Sequence, residues 1–216
     1  LFMLSLSCLW FGMSGSVREL IADRAIWQRE ARIGVGVGAY VGAKVLVLGA
    51  AVVLQCLFLS GVLFSVFELG DYGFVEEKLL GVSALIGLTG MALGLFVSSV
   101  WTSSEAAVGT LPLLLIPQIT FSSIMVGIRD MTPLARAFTW VTIERYAFEA
   151  TIKAGNRVDE WVIHEFENKP SRGALFDLGF RTSSSEDMGL ALTASLSALA
   201  AFSVLFLAVA WAVVWR

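Results

Sequence analysis

The side chains that could take part in chemistry are mostly charged ones in a single short stretch, residues 17–32, VRELIADRAIWQREAR. Its apolar residues fall along one helical stripe and most of its charges lie opposite, which predicts an amphipathic helix too polar to cross a bilayer. Such a helix would lie on the membrane surface or dock on a partner protein. Mixed charge argues against a pure lipid anchor, which would be richer in lysine and arginine. The charged residues considered for function are Arg18, Glu19, Asp23, Arg24, Arg29 and Glu30.

Motifs for catalysis are missing from the sequence. No Gly-x-x-x-x-Gly-Lys-Ser/Thr phosphate loop occurs, so this stretch of chain cannot hydrolyse ATP alone. The single histidine, His164, has no neighbours at metal-ligand spacing, and we predict no metal site. Cys8 and Cys56 lie in apolar segments, where we expect buried thiols. We therefore predict no catalytic residue here, and whether the whole protein is an enzyme stays open.

Composition indicates a membrane protein. The chain is 57% hydrophobic and 15% charged, whereas a soluble domain carries about a quarter charged residues. A basic stripe with interleaved aromatic residues, typical of nucleic-acid binding, is absent from the sequence. We expect the lipid bilayer as a partner and no nucleic acid.

Apolar segments of helical length dominate the chain, and alternating strands are not visible. We predict an all-α, polytopic membrane helix bundle. The predicted membrane segments are residues 1–16 (the tail of a helix), 39–67, 79–101, 107–128 and 188–215.

The fourth of these segments, residues 107–128, contains Pro112 and Pro117. Each proline removes an N–H donor, so the helix should bend or open there. In lipid, such breaks persist where protein or water satisfies the freed carbonyls. We therefore expect this segment to be buried within a membrane assembly, as in transporters.

Orientation follows from the short loops. Residues 17–32 carry four arginines, whereas residues 68–78 carry Glu68, Asp71, Glu76 and Glu77 against one lysine. The positive-inside rule then places residues 17–32 in the cytoplasm and residues 129–187 outside it. Lys44 lies near the cytoplasmic start of a span, where snorkelling accounts for it.

Two sets of glycines recur at a spacing of four residues. Gly90 and Gly94 predict close helix packing. Gly34, Gly38 and Gly42 fit either close packing or a flexible joint before the span.

Several short motifs follow one another in an order that resembles a known family. They are Arg18-Glu19 and Arg29-Glu30, AYVGAK at 39–44, LGLFVS at 93–98, IPQ at 116–118 with FSS at 121–123, and RYAFEA at 145–150. Together they resemble the membrane domain of G-subfamily ABC transporters, the ABC-2 type permease fold, over essentially the whole chain. The chain starts inside an apolar stretch and without Met, so we expect it to be part of a longer polypeptide.

The resemblance implies six spans, of which this chain holds the end of the second through the sixth. It implies a dimer with a second copy of the membrane domain. It also implies an ABC nucleotide-binding domain, on the same or a separate chain, which binds ATP and Mg. In that family the helix between spans two and three contacts the ATPase domain. This role maps here onto residues 17–32, including the six charged residues named above.

The resemblance also implies a gate. The hydrophobic pair that closes the central cavity maps onto Ile124 and Met125, although Ser123 replaces the usual glycine. The apolar walls of that cavity would come from Trp10, Phe11, Phe121 and Ile124. A lipid-like or amphipathic cargo would suit such walls.

We therefore predict the permease domain of an ATP-driven exporter. The alternative is a non-transporting membrane scaffold or regulatory module. An ion-coupled carrier is disfavoured because the predicted spans contain almost no ionisable groups. Residues 129–187 contain neither cysteine nor an Asn-x-Ser/Thr sequon. This absence favours a bacterial member, located in the inner membrane.

Overall fold

The computed structural model describes residues 1–70, 74–122, 131–154 and 185–215. Within these ranges the fold is helical and contains no β-strand, as the all-α prediction requires. The helices, in chain order, are α1 (Phe2–Ser16), α2 (Glu19–Ala22), α3 (Arg24–Arg32), α4 (Val37–Val66), α5 (Glu76–Val100), α6 (Ser104–Thr120), α7 (Pro133–Thr139), α8 (Ile143–Lys153) and α9 (Ser185–Trp215).

Helix α5 forms the centre of the bundle. In its most apolar stretch 67% of residues are buried, against 22% in α4 and 11% in Leu192–Trp215 of α9. Helices α1, α4 and α9 pack around it. All three long helices are apolar on every side, so burial does not follow from their sequence pattern. The outward faces of α4 and α9 are the surfaces that suit lipid.

Glycines bring α1 and α5 into backbone contact. A Cβ atom added at Gly90 would lie 2.3 Å from the carbonyl oxygen of Leu9, and one at Gly94 would lie 2.1 Å from Ser16 Oγ. Ser16 Oγ also donates a hydrogen bond to the carbonyl of Met91, at 3.0 Å. The close packing predicted for Gly90 and Gly94 is confirmed.

The other set of glycines behaves differently. A Cβ atom at Gly34, Gly38 or Gly42 would meet no atom within 4 Å among the described residues. Gly34 has a positive φ of 95° in the turn between α3 and α4, a conformation that glycine adopts without a steric penalty. Close packing at these glycines is therefore not observed among the described residues: Gly34 lies in the turn, whereas Gly38 and Gly42 lie within α4.

Polar and aromatic contacts join α9 to the rest of the bundle. Thr89 Oγ1 and Ser203 Oγ lie 3.0 Å apart between α5 and α9. The rings of Phe96 and Phe206 stack at 5.7 Å, and Tyr146 of α8 lies 6.0 Å from the ring of Phe202. Helix α8 is thereby held against α9.

Three of the described helices are long and apolar enough to cross a membrane: Val37–Val66, Glu76–Val100 and Leu192–Trp215. Helix α1 has 15 residues and α6 has 17. The segment predicted at 107–128 begins earlier as a helix, at Ser104, and ends at Thr120. Pro112 and Pro117 both lie inside α6 without interrupting it, and residues 123–130 lie outside the described residues.

The single amphipathic helix predicted for residues 17–32 is wrong, because two helices separated at Asp23 occupy this stretch. The apolar stripe is divided between them. Val17 and Leu20 are buried in the core, whereas α3 has no buried residue. The first part packs into the core, whereas α3 lies on the surface of the bundle, where Trp27 stacks on Tyr40 of α4.

Candidate functional site

Helix α2 is attached to the end of α5 through its backbone. The N–H groups of Leu20 and Ile21 both donate to Ser98 Oγ, at 3.0 and 3.2 Å. These N–H groups belong to the first turn of α2, where a helix has no internal acceptors for them. A hydroxyl from another helix therefore caps α2 and fixes its position.

Arg24, at the start of α3, reaches the same end of α5. Its Nη2 donates to the carbonyls of Trp101 and Ser99, at 2.9 and 3.4 Å. The last carbonyls of a helix lack partners within it and carry partial negative charge. The guanidinium supplies both donors and compensating charge there.

Lys44 of α4 completes the attachment. Its Nζ lies 2.8 Å from Glu19 Oε2 and 2.5 Å from Asp23 Oδ2. The lysine side chain is 21% exposed and the two acids are 36% and 34% exposed. Snorkelling is therefore an incomplete account of Lys44, since its charge is held by two acids rather than by water. We call Glu19, Asp23 and Lys44 the acidic bracket.

The six residues predicted for ATPase coupling divide into two groups. Glu19, Asp23 and Arg24 bind α4 and α5. Arg18 and Arg29 are exposed, and Glu30 is half-exposed. Their role in coupling stays a prediction, but they now have distinct positions, toward the bundle or away from it.

Two residues of this site were missed in the sequence, Ser98 and Lys44. Lys44 carried a usable signal, because it is a lysine inside a long apolar segment. Its partners lie 25 and 21 positions earlier in the chain, so no helical spacing relates them. Ser98 resembles any small polar residue in a span.

A second polar site lies at the other end of α1, around Glu144 of α8. Glu144 is fully buried, and Ser5 Oγ donates to its Oε1 at 2.5 Å. Its backbone N–H donates to Gln118 Oε1 at 3.0 Å, which joins α8 to α6. Glu144 Oε2 has no hydrogen-bond partner within the described residues. The neighbouring Arg145 turns its guanidinium to Thr139 Oγ1 and over the Trp140 ring.

Burial raises the pKa of Glu144 to about 8 from an ordinary value of 4.5, although the hydrogen bond from Ser5 opposes this shift. Between these two pH values the folded protein keeps a proton on Glu144 that the unfolded chain releases. The free energy of unfolding contributed by this group therefore falls as pH rises from 4.5 to about 8. Glu144 was not singled out in the sequence, because it sits in a polar region where acids are ordinary.

The residues predicted to line a central cavity are only partly placed. Trp10 is 38% exposed, Phe11 is half-buried, and Phe121 stacks on Phe138 at 5.6 Å. No ring contact among the described residues joins Phe121 to Trp10 or Phe11. Ile124 and Met125 lie outside the described residues, so the gate stays a prediction.

Helix α6 leaves most of its apolar surface uncovered. Ala107 and Leu111 are its buried residues, whereas Leu113 and Ile116 are 67% and 60% exposed. The expected burial of this segment is therefore not achieved by contacts within the described part of one chain.

Comparison with known proteins agrees with the resemblance seen in the sequence. The family model described as ABC-2 type transporter matches residues 1–154. A protein of Mycobacterium tuberculosis named "ABC transporter ATP-binding/permease protein" is 28% identical over 161 residues, which are 70% of this chain and 18% of that protein. The chain thus spans less than a fifth of the length of this curated relative.

Proposed function

Because this chain belongs to the ABC-2 type transporter family, we propose that it forms the permease domain of an ATP-driven exporter for lipid-like or amphipathic molecules. In this proposal an ABC nucleotide-binding domain, on the same or a separate chain, binds ATP and Mg and drives the permease. The mycobacterial relative, whose name includes both an ATP-binding and a permease part, supports such a pairing. A bacterial inner membrane is the proposed location.

The attachment of α2 and α3 to two long helices at once is the observation that carries this proposal. Ser98 and Arg24 connect this helix pair to the end of α5, and the acidic bracket connects it to the beginning of α4. A force on α2 or α3 would therefore act on both helices together. The outer side of the pair offers Arg18, Arg29 and the 49% exposed Ile26 to an ATPase domain.

A second copy of the membrane domain is the partner that we propose for α6. Leu113 and Ile116 are exposed apolar residues on a helix that contains two prolines. Each proline leaves a carbonyl of the preceding turn without its usual donor, which in lipid requires protein or water nearby. A dimer along α6 would cover the exposed apolar residues and place protein and water near these carbonyls. It would also enclose a path between the two copies.

The proposed cargo class rests on the character of the helices. Residues 79–100 of α5 and 192–215 of α9 contain no charged residue. A path along such helices offers little to a hydrophilic ion. It favours a molecule that carries its own apolar surface.

The proposal is tested in proteoliposomes of the full-length protein, with a fluorescent phospholipid analogue as the probe. Parent protein should move the probe when ATP is present. Lys44→Met leaves Glu19 and Asp23 without their cation and removes their link to α4, so it should lower the amount of probe moved per ATP hydrolysed. Glu77→Gln, a substitution of an exposed acid at the first turn of α5, is the matched control and should behave as the parent.

Protein folding and coupling are separated by a second variant. The triple variant Lys44→Met, Glu19→Gln and Asp23→Asn removes all three charges of the acidic bracket and so leaves none of them unpaired. It should keep the parent's thermal stability while transport remains uncoupled from ATP hydrolysis. Parental transport per ATP in this variant would refute the role of the acidic bracket. A parent protein that hydrolyses ATP without moving the probe would instead support the scaffold alternative or a different cargo.

A further inference from the structure

A cavity of about 770 Å³ opens beside α3, at the ends of the long helices. Its walls come from α3, the turn before α4, the beginning of α4, and the last residues of α5 and α9. Ligand sites typically occupy about 300–1,000 Å³, so this volume is sufficient for a small molecule or a lipid headgroup. Trp10, Phe11 and Phe121, the described residues predicted to line the transport cavity, do not line it.

The charged side chains that line this cavity, among the described residues, are all basic. Arg24 and Arg32 line it, and no aspartate or glutamate of the described residues does. Of the nearby acids, Glu19 and Asp23 are bound to Lys44, and the half-exposed Glu30 of α3 does not line the cavity. Arg24 uses Nη2 on the end of α5, whereas Arg32 is exposed and appears in no ion pair with a described residue. Two guanidinium groups with no acid among the described residues of the same wall suit a phosphate.

The cavity lies at the level where the three helices long enough to cross a membrane begin or end, and this position points to a membrane lipid as the source of that phosphate. Val37, Val100 and Trp215 mark the ends of the three helices that are able to cross a membrane, and all three residues line the cavity. Trp27 and Tyr40 stack at 4.6 Å on the same wall. Aromatic side chains of this kind concentrate at the headgroup level of a bilayer.

Apolar surface continues from the cavity along α9. Val213 and Val214 line the cavity, and Val209 and Leu205 are 36% and 55% exposed farther along the helix. A headgroup held by the arginines would place its acyl chains along this surface. A free phosphate would gain nothing from it.

We propose that this cavity binds the headgroup of an anionic phospholipid, with Arg32 as its principal phosphate contact and the end of α9 as the seat for its acyl chains. The occupied site bridges α3, α4, α5 and α9, so the lipid stabilises the attachment of α3 to the bundle. This binding is independent of which molecule the protein transports.

The test measures thermal unfolding of the delipidated full-length protein in neutral detergent, with phosphatidylglycerol, phosphatidylcholine or glycerol phosphate added. Phosphatidylglycerol should raise the unfolding midpoint in a saturable manner, phosphatidylcholine should do so weakly, and glycerol phosphate should have no effect at the same concentration. Arg32→Gln should weaken phosphatidylglycerol binding by about tenfold, because a charge-assisted hydrogen bond is lost. Arg32 is exposed, so the substitution should leave the midpoint without lipid unchanged.

Arg29→Gln is the matched control, since Arg29 is exposed on the same helix but does not line the cavity. It should bind phosphatidylglycerol as the parent does. Equal weakening by Arg29→Gln and Arg32→Gln would mean general charge attraction and would overturn the site. An equal response to both phospholipids, or stabilisation by glycerol phosphate alone, would also overturn the site. Unchanged lipid binding in Arg32→Gln would overturn it as well, and is the result expected if the ATPase domain covers the cavity.

Discussion

Replacing Gly90 by alanine should push α1 and α5 apart. The added Cβ atom would lie 2.3 Å from the carbonyl oxygen of Leu9, 3.0 Å from its carbonyl carbon and 3.2 Å from its Cα. All three atoms belong to the backbone of α1, so no side-chain rotation can relieve the contact. The two helices would have to separate locally by about 1 Å, which a close-packed interior resists.

The size of the effect can be worked out from two opposing terms. Overpacking of this kind costs about 1–3 kcal/mol, while alanine in place of glycine within a helix contributes about 1 kcal/mol of stability. Gly81 lies on the same helix, and a Cβ atom there would meet nothing within 4 Å. Gly81→Ala therefore shows the helical gain without the clash. The two variants should differ by about 1–3 kcal/mol, a shift of roughly 2–4 °C per kcal/mol in the unfolding midpoint.

Thermal unfolding in neutral detergent, followed by tryptophan fluorescence, measures this difference. We expect Gly81→Ala to unfold at or above the parent's midpoint and Gly90→Ala to unfold below that of Gly81→Ala. Equal midpoints for the two alanine variants would refute the backbone contact between α1 and α5. A midpoint lowered equally by both would show that glycine is needed along α5 for a reason other than packing on α1.

Three further predictions concern the predicted outer half of the protein. The parent's free energy of unfolding should fall between pH 5 and pH 8 by on the order of 3–4 kcal/mol, at about 1.4 kcal/mol per pH unit, and Glu144→Gln should remove this fall. A parent protein whose unfolding midpoint does not fall with pH would contradict the buried, protonated carboxyl. Replacing Ile124 and Met125 together by alanine should raise basal ATPase activity or leak of a small cargo, and parental values for both would assign these residues to packing. Asn156→Cys and Asn168→Cys should react with a membrane-impermeant thiol reagent applied from outside, whereas labelling that requires an opened cytoplasm would invert the topology.

Local sequence was sufficient to predict the long apolar helices and much of their length, but not α7 and α8 within residues 129–187. The segments predicted at 39–67 and 79–101 correspond to α4 and α5, which begin two and three residues earlier. Long apolar runs specify helices because a bilayer leaves backbone groups no partners outside the segment. The family was also accessible from short motifs in order, since those motifs lie within residues 1–154, where the family model matches.

Contacts between distant segments decided the rest. Gly38 and Gly90 occur in similar four-residue patterns, yet only the second meets another backbone. The difference depends on α1, which lies about 80 positions away in the chain. Amphipathic spacing likewise predicted one helix over residues 17–32. In the structure this stretch is divided at Asp23, and the part before the division is bound by Ser98 and Lys44.

The sequence by itself therefore determined what depends on the composition of a single segment: whether that segment is a helix, a membrane span or a polar connection. The tertiary structure alone decided which charges are bound and which are free. Lys44 is held because α4 places it beside Glu19 and Asp23, and the pKa of Glu144 is raised because packing of α8 on α1 and α9 buries it. The energy of a charge depends on the atoms that replace its water, and those atoms come from elsewhere in the chain.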